Sequence, residues 1–355
     1  MNPPRIVGDF FLNKPARFLY RESTNYYVCF MFKLLSIFCL ILLFSACSKP
    51  AEHELGMYYW KMNTKGEQRD PIVSELDWMY VKLYDVKWRE AGAYPASKQL
   101  KFEKIDSLFK KPIIPVIYIT NDVFLKSDSS EVLELVQNLA IGLEDYQSMT
   151  DAWSEIQIDC DWTESSKSRY FQFLSAFRKA FPKPKISVTL RLYPFKYATK
   201  MGIPPVDKAM LMAYNVGQIQ RWSTSNSILD YAEAKKYLTH SKYPLPLDLA
   251  LPTFGWYVWF SHGKMRGIVY EEEFQLLEEK CKPKGNNRFT LTEDIETDQH
   301  LYFKGDEFRM EFPNDRDILS TYGHVLELYP SVNRIVFFHY NSSNIKRYEN
   351  LLHSF

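Results

Sequence analysis

Most of the chain consists of short runs that alternate apolar with polar residues, or are apolar throughout, separated by longer stretches with a helical repeat. Eight runs read as strands: MYYWKM (57–62), MYVKLYDV (79–86), IIPVIYIT (113–120), SEIQIDCD (154–161), KISVTLRL (185–192), AMLMAYN (209–215), DLALPTF (248–254) and RIVFFHY (334–340). Helical spacing fits SEVLELVQNLAIGLEDYQ, SSKSRYFQFLSAFRKAF, SILDYAEAKKYLTH and RDILSTYGHVLELY. In the second of these, Tyr170, Phe173, Leu174, Phe177 and Phe181 share one face after a serine-rich start suited to capping. Strands alternating with helices predict a parallel sheet, and eight such units in roughly 300 residues predict a closed (β/α)8 TIM barrel. A doubly wound open sheet is the alternative, but neither a G-x-G-x-x-G nor a P-loop supports it.

The seventh unit is interrupted. Residues 261–312 contain a charged helical run, EEEFQLLEEK, and short strand-like runs such as HLYFKG and EFRMEF, which predict a small α+β insertion walling one side of the barrel mouth. The expected organisation is an N-terminal extension with a lipoprotein signal peptide (1–46), a tether (47–55) and the barrel domain (56–355). The leader assignment rests on Met31-Phe-Lys followed by LLSIFCLILLFSAC: a basic start, an apolar run short for a bilayer span, and small residues before a cysteine. Phe44-Ser45-Ala46-Cys47 resembles a bacterial lipobox, which implies lipidation of Cys47, and Ser48 after it points to the outer membrane. Several acyl chains make such an anchor stable. Residues 1–30 read as an upstream extension outside the fold.

Composition narrows the partners. A net charge of +1, with 46% apolar and 25% charged residues, describes a globular domain without the basic bias that nucleic acid requires, and it is expected to be a monomer. Aromatic residues make up 16% of the chain, leaving rings for a binding cleft after the core is filled. Of the five cysteines, Cys29, Cys39 and Cys47 belong to or precede the leader, so Cys160 and Cys281 form no disulfide framework, and Cys160 falls on an apolar strand face. No H-E-x-x-H, Cys/His cluster or G-x-S-x-G elbow is present, and no cofactor or metal is expected. A divalent cation at Asp159 and Asp161 remains open on the two carboxylates alone.

The run EIQIDCDWTESS carries the candidate chemistry. Alternation puts Glu155, Gln157, Asp159 and Asp161 on one face and Ile156, Ile158, Cys160 and Trp162 on the other. In a barrel the first face looks down the axis, and the two aspartates nearest the strand end reach the mouth, where active sites of this fold lie. The next strand gives Ser187, Thr189 and Arg191 the same face; on the second strand, Lys82 shares a face with Tyr80 and Tyr84. Buried charges require partners, so Lys82 and Arg191 are expected to pair with Glu155, Asp159 and Asp161. Carboxylates this close push their pKa values apart, the split that acid/base chemistry uses, and an acidic pair ringed by aromatics suits glycoside hydrolysis. Trp60, Trp88, Trp162, Trp256 and Trp259 lie at or beyond strand ends, where rings stack on sugars; Asn121, Tyr214, Asn215, His339 and Tyr340 close other strands.

These segments resemble the chitinase-like family 18 glycoside hydrolases: IDCDWT their fourth-strand D-x-D-x-E motif, MLMAYN their sixth-strand M-x-Y-D, and LALPTFGW their seventh-strand segment ending in an aromatic-glycine pair. VKLYDVKW, PVIYITN, QIDCDWT and GDEFRMEFP are similar to a group of bacterial lipoproteins with glycoside-hydrolase-like barrels. The resemblance implies that Asp159 and Asp161 are the motif's last two aspartates and that Tyr214 holds the substrate's reacting group. The family's proton-donating glutamate falls at Thr163, with Glu164 one residue late; Asn215 and Ile156 replace aspartates. Three readings follow: Asp161 is the acid, Glu164 reaches in from a shifted loop, or the site binds glycans without cleaving them. The expectation is a lipid-anchored glycosidase of a poly- or oligosaccharide. Its acid is Asp161, partnered by Asp159. Tyr214 and Arg191 position substrate, Asp85 is the reserve second carboxylate, and the alternative is a non-catalytic glycan-binding lipoprotein.

Overall fold

The computed structural model describes residues 53–61, 69–89, 92–97, 109–147, 153–239 and 242–355. The leader, Cys47 and most of the expected tether lie outside the described residues.

Eight parallel strands close into a barrel: β1 (Glu54–Tyr59), β2 (Trp78–Arg89), β4 (Ile113–Ile119), β5 (Glu155–Asp159), β6 (Lys185–Arg191), β7 (Lys208–Met212), β8 (Leu247–Pro252) and β16 (Arg334–Phe338). Closure comes from β1, which pairs in parallel with both β16 and β2. Each overlaps one of the eight runs read as strands. β3 (Gly92–Ser97) is an antiparallel extension of β2. Among the described residues the α-helices are α1 (Asn121–Lys126), α2 (Ser129–Gln147), α3 (Lys167–Ala180), α4 (Leu192–Lys196), α5 (Ala198–Met201), α6 (Tyr231–Ala234), α7 (Glu271–Phe274), α8 (Asp315–Leu328) and α9 (Ser342–Leu352).

The outward residues of the strands, among them Ile156, Ile158, Val188 and Leu190, form one apolar layer with the helices, including the α3 face Tyr170, Phe173, Leu174 and Phe177. The α3 start carries no serine side-chain cap, because the Ser166 hydroxyl is spent on Asn121 Oδ1 at 2.5 Å and on the Thr163 amide at 2.9 Å. The run SILDYAEAKKYLTH shortens to the four residues of α6. Its first part is drawn into the barrel instead: Ile228 joins the interior cluster, the Ile228 and Leu229 amides cap onto Asn226 Oδ1, and Asp230 starts the helix late by accepting from Ala232 and Glu233.

Within the seventh unit the chain builds a five-stranded antiparallel sheet, ordered β10 (Lys264–Val269), β9 (Trp256–Ser261), β15 (Glu307–Glu311), β12 (Arg288–Leu291), β11 (Cys281–Gly285), and a small hairpin of β13 (Ile295–Glu296) and β14 (Leu301–Tyr302). Its own core includes Phe274 stacked on Tyr257 at 3.6 Å. The charged run EEEFQLLEEK is α-helical only over α7 and ends in a 3-10 turn at Glu278–Lys280, with Leu277 between them buried in the same cluster as Phe274.

Inside the barrel the floor is charged and paired. Glu155 accepts from Arg334 at 2.7 Å and Lys208 at 3.2 Å, Lys208 also pairs with Asp248, and Arg334 reaches Glu54 at 2.6 Å. Glu155 therefore takes its partners from β7 and β16, not from Lys82 or Arg191. A middle layer follows in which Tyr58 donates to Gln157 at 2.6 Å among Tyr80, Val116, Met210 and Val336. Paired floor charges leave the polar residues above them to the mouth.

Candidate active site

Asp159 closes β5 with its side chain inward and 8% of its surface exposed. Thr189, on neighbouring β6, donates its hydroxyl to the Asp159 carboxylate at 2.5 Å. Burial, reinforced by the charge of Asp161, pushes the Asp159 carboxyl up to about 7, against the pull of Thr189, Lys82 and Arg191. Asp161, two residues on, has left the strand and is exposed, with Arg191 Nη1 at 3.5 Å. The two carboxyls have different surroundings: Asp159 is buried against a neutral hydroxyl, and Asp161 is exposed beside the Arg191 guanidinium.

On β2 the strict alternation fails. The β2–β4 register pairs Lys82 with Val116, Tyr84 with Ile117 and Asp85 with Tyr118, so a bulge at Leu83 shifts the pleat. Tyr84 therefore faces outward onto Tyr146 of α2, contrary to the shared face expected for Lys82, Tyr80 and Tyr84. Asp85 turns inward and meets Lys82 at 2.8 Å. The Lys82 ammonium lies 4.5 Å from the Trp60 ring and 5.6 Å from the Tyr118 ring, a desolvated cation over two aromatics. Tyr118 went unnoticed in the sequence, although alternation in IIPVIYIT puts it on the inward face with Ile114 and Val116. Burial and the charges of Asp159, Asp161 and Asp85 hold its phenol at about 12.

Tyr214 is buried beneath this group, stacked on Phe338 at 5.7 Å, and burial with the charges of Asp159 and Asp161 holds its phenol well above the ordinary range. Asn215 is exposed, has φ of 56° and donates its amide to Ile228. It therefore shapes the turn after β7. Asp161, Glu164, Arg191, Tyr193 and Lys200 line a cleft of about 320 Å³. Glu164 points to Lys200 at 3.0 Å, and Thr163 is engaged by Ser166 and, at 3.5 Å, by Asn121. Asn121 thus braces the β5 loop.

A second cleft of about 220 Å³ lies where the ends of β1, β8 and β16 meet the insertion, lined by Trp60, Lys61, Phe254, Tyr270, Glu272 and His339. Burial lowers the His339 imidazole to about 4, so it is neutral, and its Nδ1 faces the Tyr340 carbonyl at 3.2 Å. Trp256 is fixed by its indole N–H on Glu311 at 2.8 Å. Two of the expected substrate residues stand elsewhere. Trp162 is 4% exposed and packs on Tyr170 at 5.3 Å, and Tyr340 is fully buried between Tyr59 and Phe109. Trp162 has the opposite pleat parity from the inward residues of β5; Tyr340 shares the parity of Val336 and Phe338 but lies beyond the end of β16, where it joins the helix layer. Trp259 likewise belongs to the insertion, donating to Asp306 at 2.8 Å.

No family model matches the chain, and no curated protein matches it in sequence. Among solved structures, a chitinase from Bacteroides thetaiotaomicron is similar over 84% of this chain and 95% of that one, with a TM-score of 0.53 at 12% identity. The spore cortex-lytic enzyme SleL from Bacillus cereus is similar over 85% and 74%, with a TM-score of 0.49 at 15% identity. The likeness to the chitinase is one of fold: this chain is a closed (β/α)8 barrel with an α+β insertion after its seventh strand.

Proposed function

We propose that this chain is a glycoside hydrolase of a poly- or oligosaccharide, using Asp159 and Asp161 for carboxylate acid/base chemistry. The observation that carries the reading is the Asp159 carboxyl, buried at the mouth of a hydrolase-type barrel and held protonated near neutral pH beside an exposed carboxylate. In this reading the proton-holding role expected of Asp161 moves to Asp159, because burial favours the neutral acid there. Asp161, kept next to Arg191, engages the sugar at the open cleft. Tyr118 and Tyr214 present phenols to the reacting group, and Trp60 and Trp256 offer ring faces. The lipobox supports an anchor at Cys47 and an outer-membrane location for the domain.

A second reading, a glycan-binding protein without hydrolysis, is favoured by one specific arrangement: at the position where the resembling family carries its acid stands Thr163, bound into the Asn121–Ser166 brace, while Glu164 is turned to Lys200. The deciding experiment measures new reducing ends released by the full chain, in detergent, from a panel of polysaccharides, beside Asp159→Asn and Asp161→Asn. Release that disappears in Asp159→Asn supports the hydrolase. Retarded migration of parent and variants through one glycan, without release, establishes the binder.

A further inference from the structure

After β7 the chain does not turn directly into its helix but forms a long loop, residues 213–230, at the mouth end of the barrel. Two arginines of the insertion hold that loop by its backbone. Arg309 donates to the carbonyls of Arg221 and, at 2.9 Å, Ile219, while Arg288 donates to those of Trp222 at 2.9 Å and Thr224 at 3.1 Å. The loop also closes on itself: the Gly217 amide donates to the Ser227 carbonyl at 3.0 Å, and a Cβ at Gly217 would lie 2.7 Å from the Ser227 Cα. With its backbone engaged in this way, the loop carries its side chains in fixed positions before any ligand arrives, which lowers the entropy cost of binding one.

Those side chains, with α6 and Tyr237, line a cleft of about 350 Å³ that shares no lining residue with the Asp161 cleft or with the cleft beside His339. Gln218, Arg221 and Ser223 are exposed in it and have no side-chain partner among the described residues. Asp230 spends one oxygen on the α6 amides and meets Ser225 with the other at 3.4 Å, and Glu233 is answered by Lys236 at 2.6 Å. An anion here would face two carboxylates, and a cation would face the Arg221 guanidinium. Hydroxyl groups suit the mixture, because each accepts from a guanidinium or amide while donating to a carboxylate. Tyr237 adds a ring wall, the apolar half of sugar recognition.

A line of rings joins this cleft to the mouth. Tyr193, which lines the Asp161 cleft, meets Tyr197 at 4.7 Å between ring centroids, and the Lys196 ammonium, held by the Lys236 carbonyl at 2.7 Å, lies 5.3 Å from the Tyr197 ring and 5.6 Å from that of Tyr237. Tyr193 and Tyr197 are 45% and 39% exposed, so ring surface stays open along the line. We propose that the cleft after β7 is a second glycan-binding site, taking neutral, hydroxyl-rich units of a polysaccharide that runs over Tyr197 and Tyr193 to the Asp161 cleft. The polysaccharide class rests on the reading of the mouth given above; the cleft and its lining do not.

The test is affinity electrophoresis of the full chain, in detergent, through native gels containing hydroxyethyl cellulose, glycol chitin, arabinoxylan or dextran, with polygalacturonate as the anionic probe. Reducing-end release is measured on the same samples. A double variant, Gln218→Ala with Arg221→Ala, removes two exposed side chains that support nothing else, so its thermal melt is expected to match the parent's. Retardation of the parent by a neutral polysaccharide, weakened about 10-fold in the double variant and also weakened in Tyr197→Ala, is the expected result. Equal retardation of parent and double variant, or retardation of neither, overturns the second site. Loss in the double variant with parent-like retardation of Tyr197→Ala overturns the connecting line of rings, and retardation by polygalacturonate alone overturns the neutral class. Release without retardation leaves the hydrolase reading standing and overturns the second site, whereas the expected retardation without release from any polysaccharide keeps the site and retires the hydrolase.

Discussion

Lys82 and Asp85 meet at 2.8 Å on the inner face of β2, although they are three positions apart and a regular strand would send them to opposite faces. The Leu83 bulge makes the contact possible and brings a second carboxylate into the row of Asp159. Because both partners are largely withdrawn from solvent, the two single substitutions are unequal to their sum. Asp85→Ala strands the ammonium over Trp60 and Tyr118 and is expected to cost about 3 kcal/mol, while Lys82→Met with Asp85→Ala costs much less. Urea unfolding of the double-mutant cycle measures the coupling, and additive costs would show that the pair is not buried.

Asp159 sets a pH dependence of stability. Its folded value of about 7 lies above the ordinary 3.8, so between these limits the folded state binds more protons than the unfolded one, and stability falls as pH rises through that window. The full effect is roughly 4 kcal/mol. Asp159→Asn abolishes it, so the variant is expected to gain on the parent steadily from pH 4 to pH 8 in thermal melts. A constant difference across that range would place the carboxyl in water.

His339 works in the opposite sense. Its folded value of about 4 lies below the ordinary 6.5, so the stability of the neutral form is complete above pH 6.5 and is lost as pH falls towards 4. His339→Gln is expected to remove that acid sensitivity, worth roughly 3 kcal/mol. In the parent the two groups partly offset each other over this range. Each single variant therefore shows a steeper slope, of opposite sign, than the parent does.

The insertion holds part of the mouth in place. Arg309, fully buried, donates to Glu311 at 2.6 Å and to the carbonyls of Ile219 and Arg221, while Glu311 also accepts from Trp256 and Ser227. Glu311→Ala leaves the guanidinium without its counter-charge and the indole without its acceptor, and is expected to cost about 3 to 5 kcal/mol. Glu311→Gln keeps one acceptor, for Arg309 or for Trp256 and Ser227, and turns an NH2 donor to the other side, so it recovers only part of that cost. Chemical unfolding ranks the two, and hydrogen exchange over residues 215–228 is expected to rise in Glu311→Ala. Unchanged exchange there would separate the buried pair from the loop.

The lipobox gives a prediction independent of the barrel. Expressed in a bacterium fed an alkyne fatty acid, the full chain is expected to take up label, and Cys47→Ser is expected to take up none. Equal labelling of both would remove the anchor.

Much of the barrel was legible because its determinant is local. Period-two runs with one apolar face must lie between a core and a helix layer, and eight of them alternating with amphipathic stretches have few other solutions. The row Glu155, Gln157, Asp159 was legible for the same reason, since a strand without a bulge fixes the facing of every side chain. The failures were equally local in cause. Trp162 was read by position at a strand end, when its parity already assigned it to the helix side. Tyr340 has the inward parity of Val336 and Phe338 and joins the helix layer only because it lies past the end of β16. SILDYAEAKKYLTH has helical spacing, but Ile228 has more to gain inside the barrel and Asn226 caps the segment before a helix can begin.

The sequence by itself determined the fold class, the inward facing of the Asp159 carboxylate and the supply of aromatic rings, because hydrophobic periodicity encodes burial residue by residue. Only the tertiary structure decided who pairs with whom. Glu155 is answered by Lys208 and Arg334, Asp85 reaches the axis through a bulge, and Gly255 is needed because Phe312 of the insertion would lie 2.2 Å from a Cβ there. Those outcomes depend on strands brought together from distant parts of the chain. Charge pairing and desolvation act through that proximity, and no local pattern contains it.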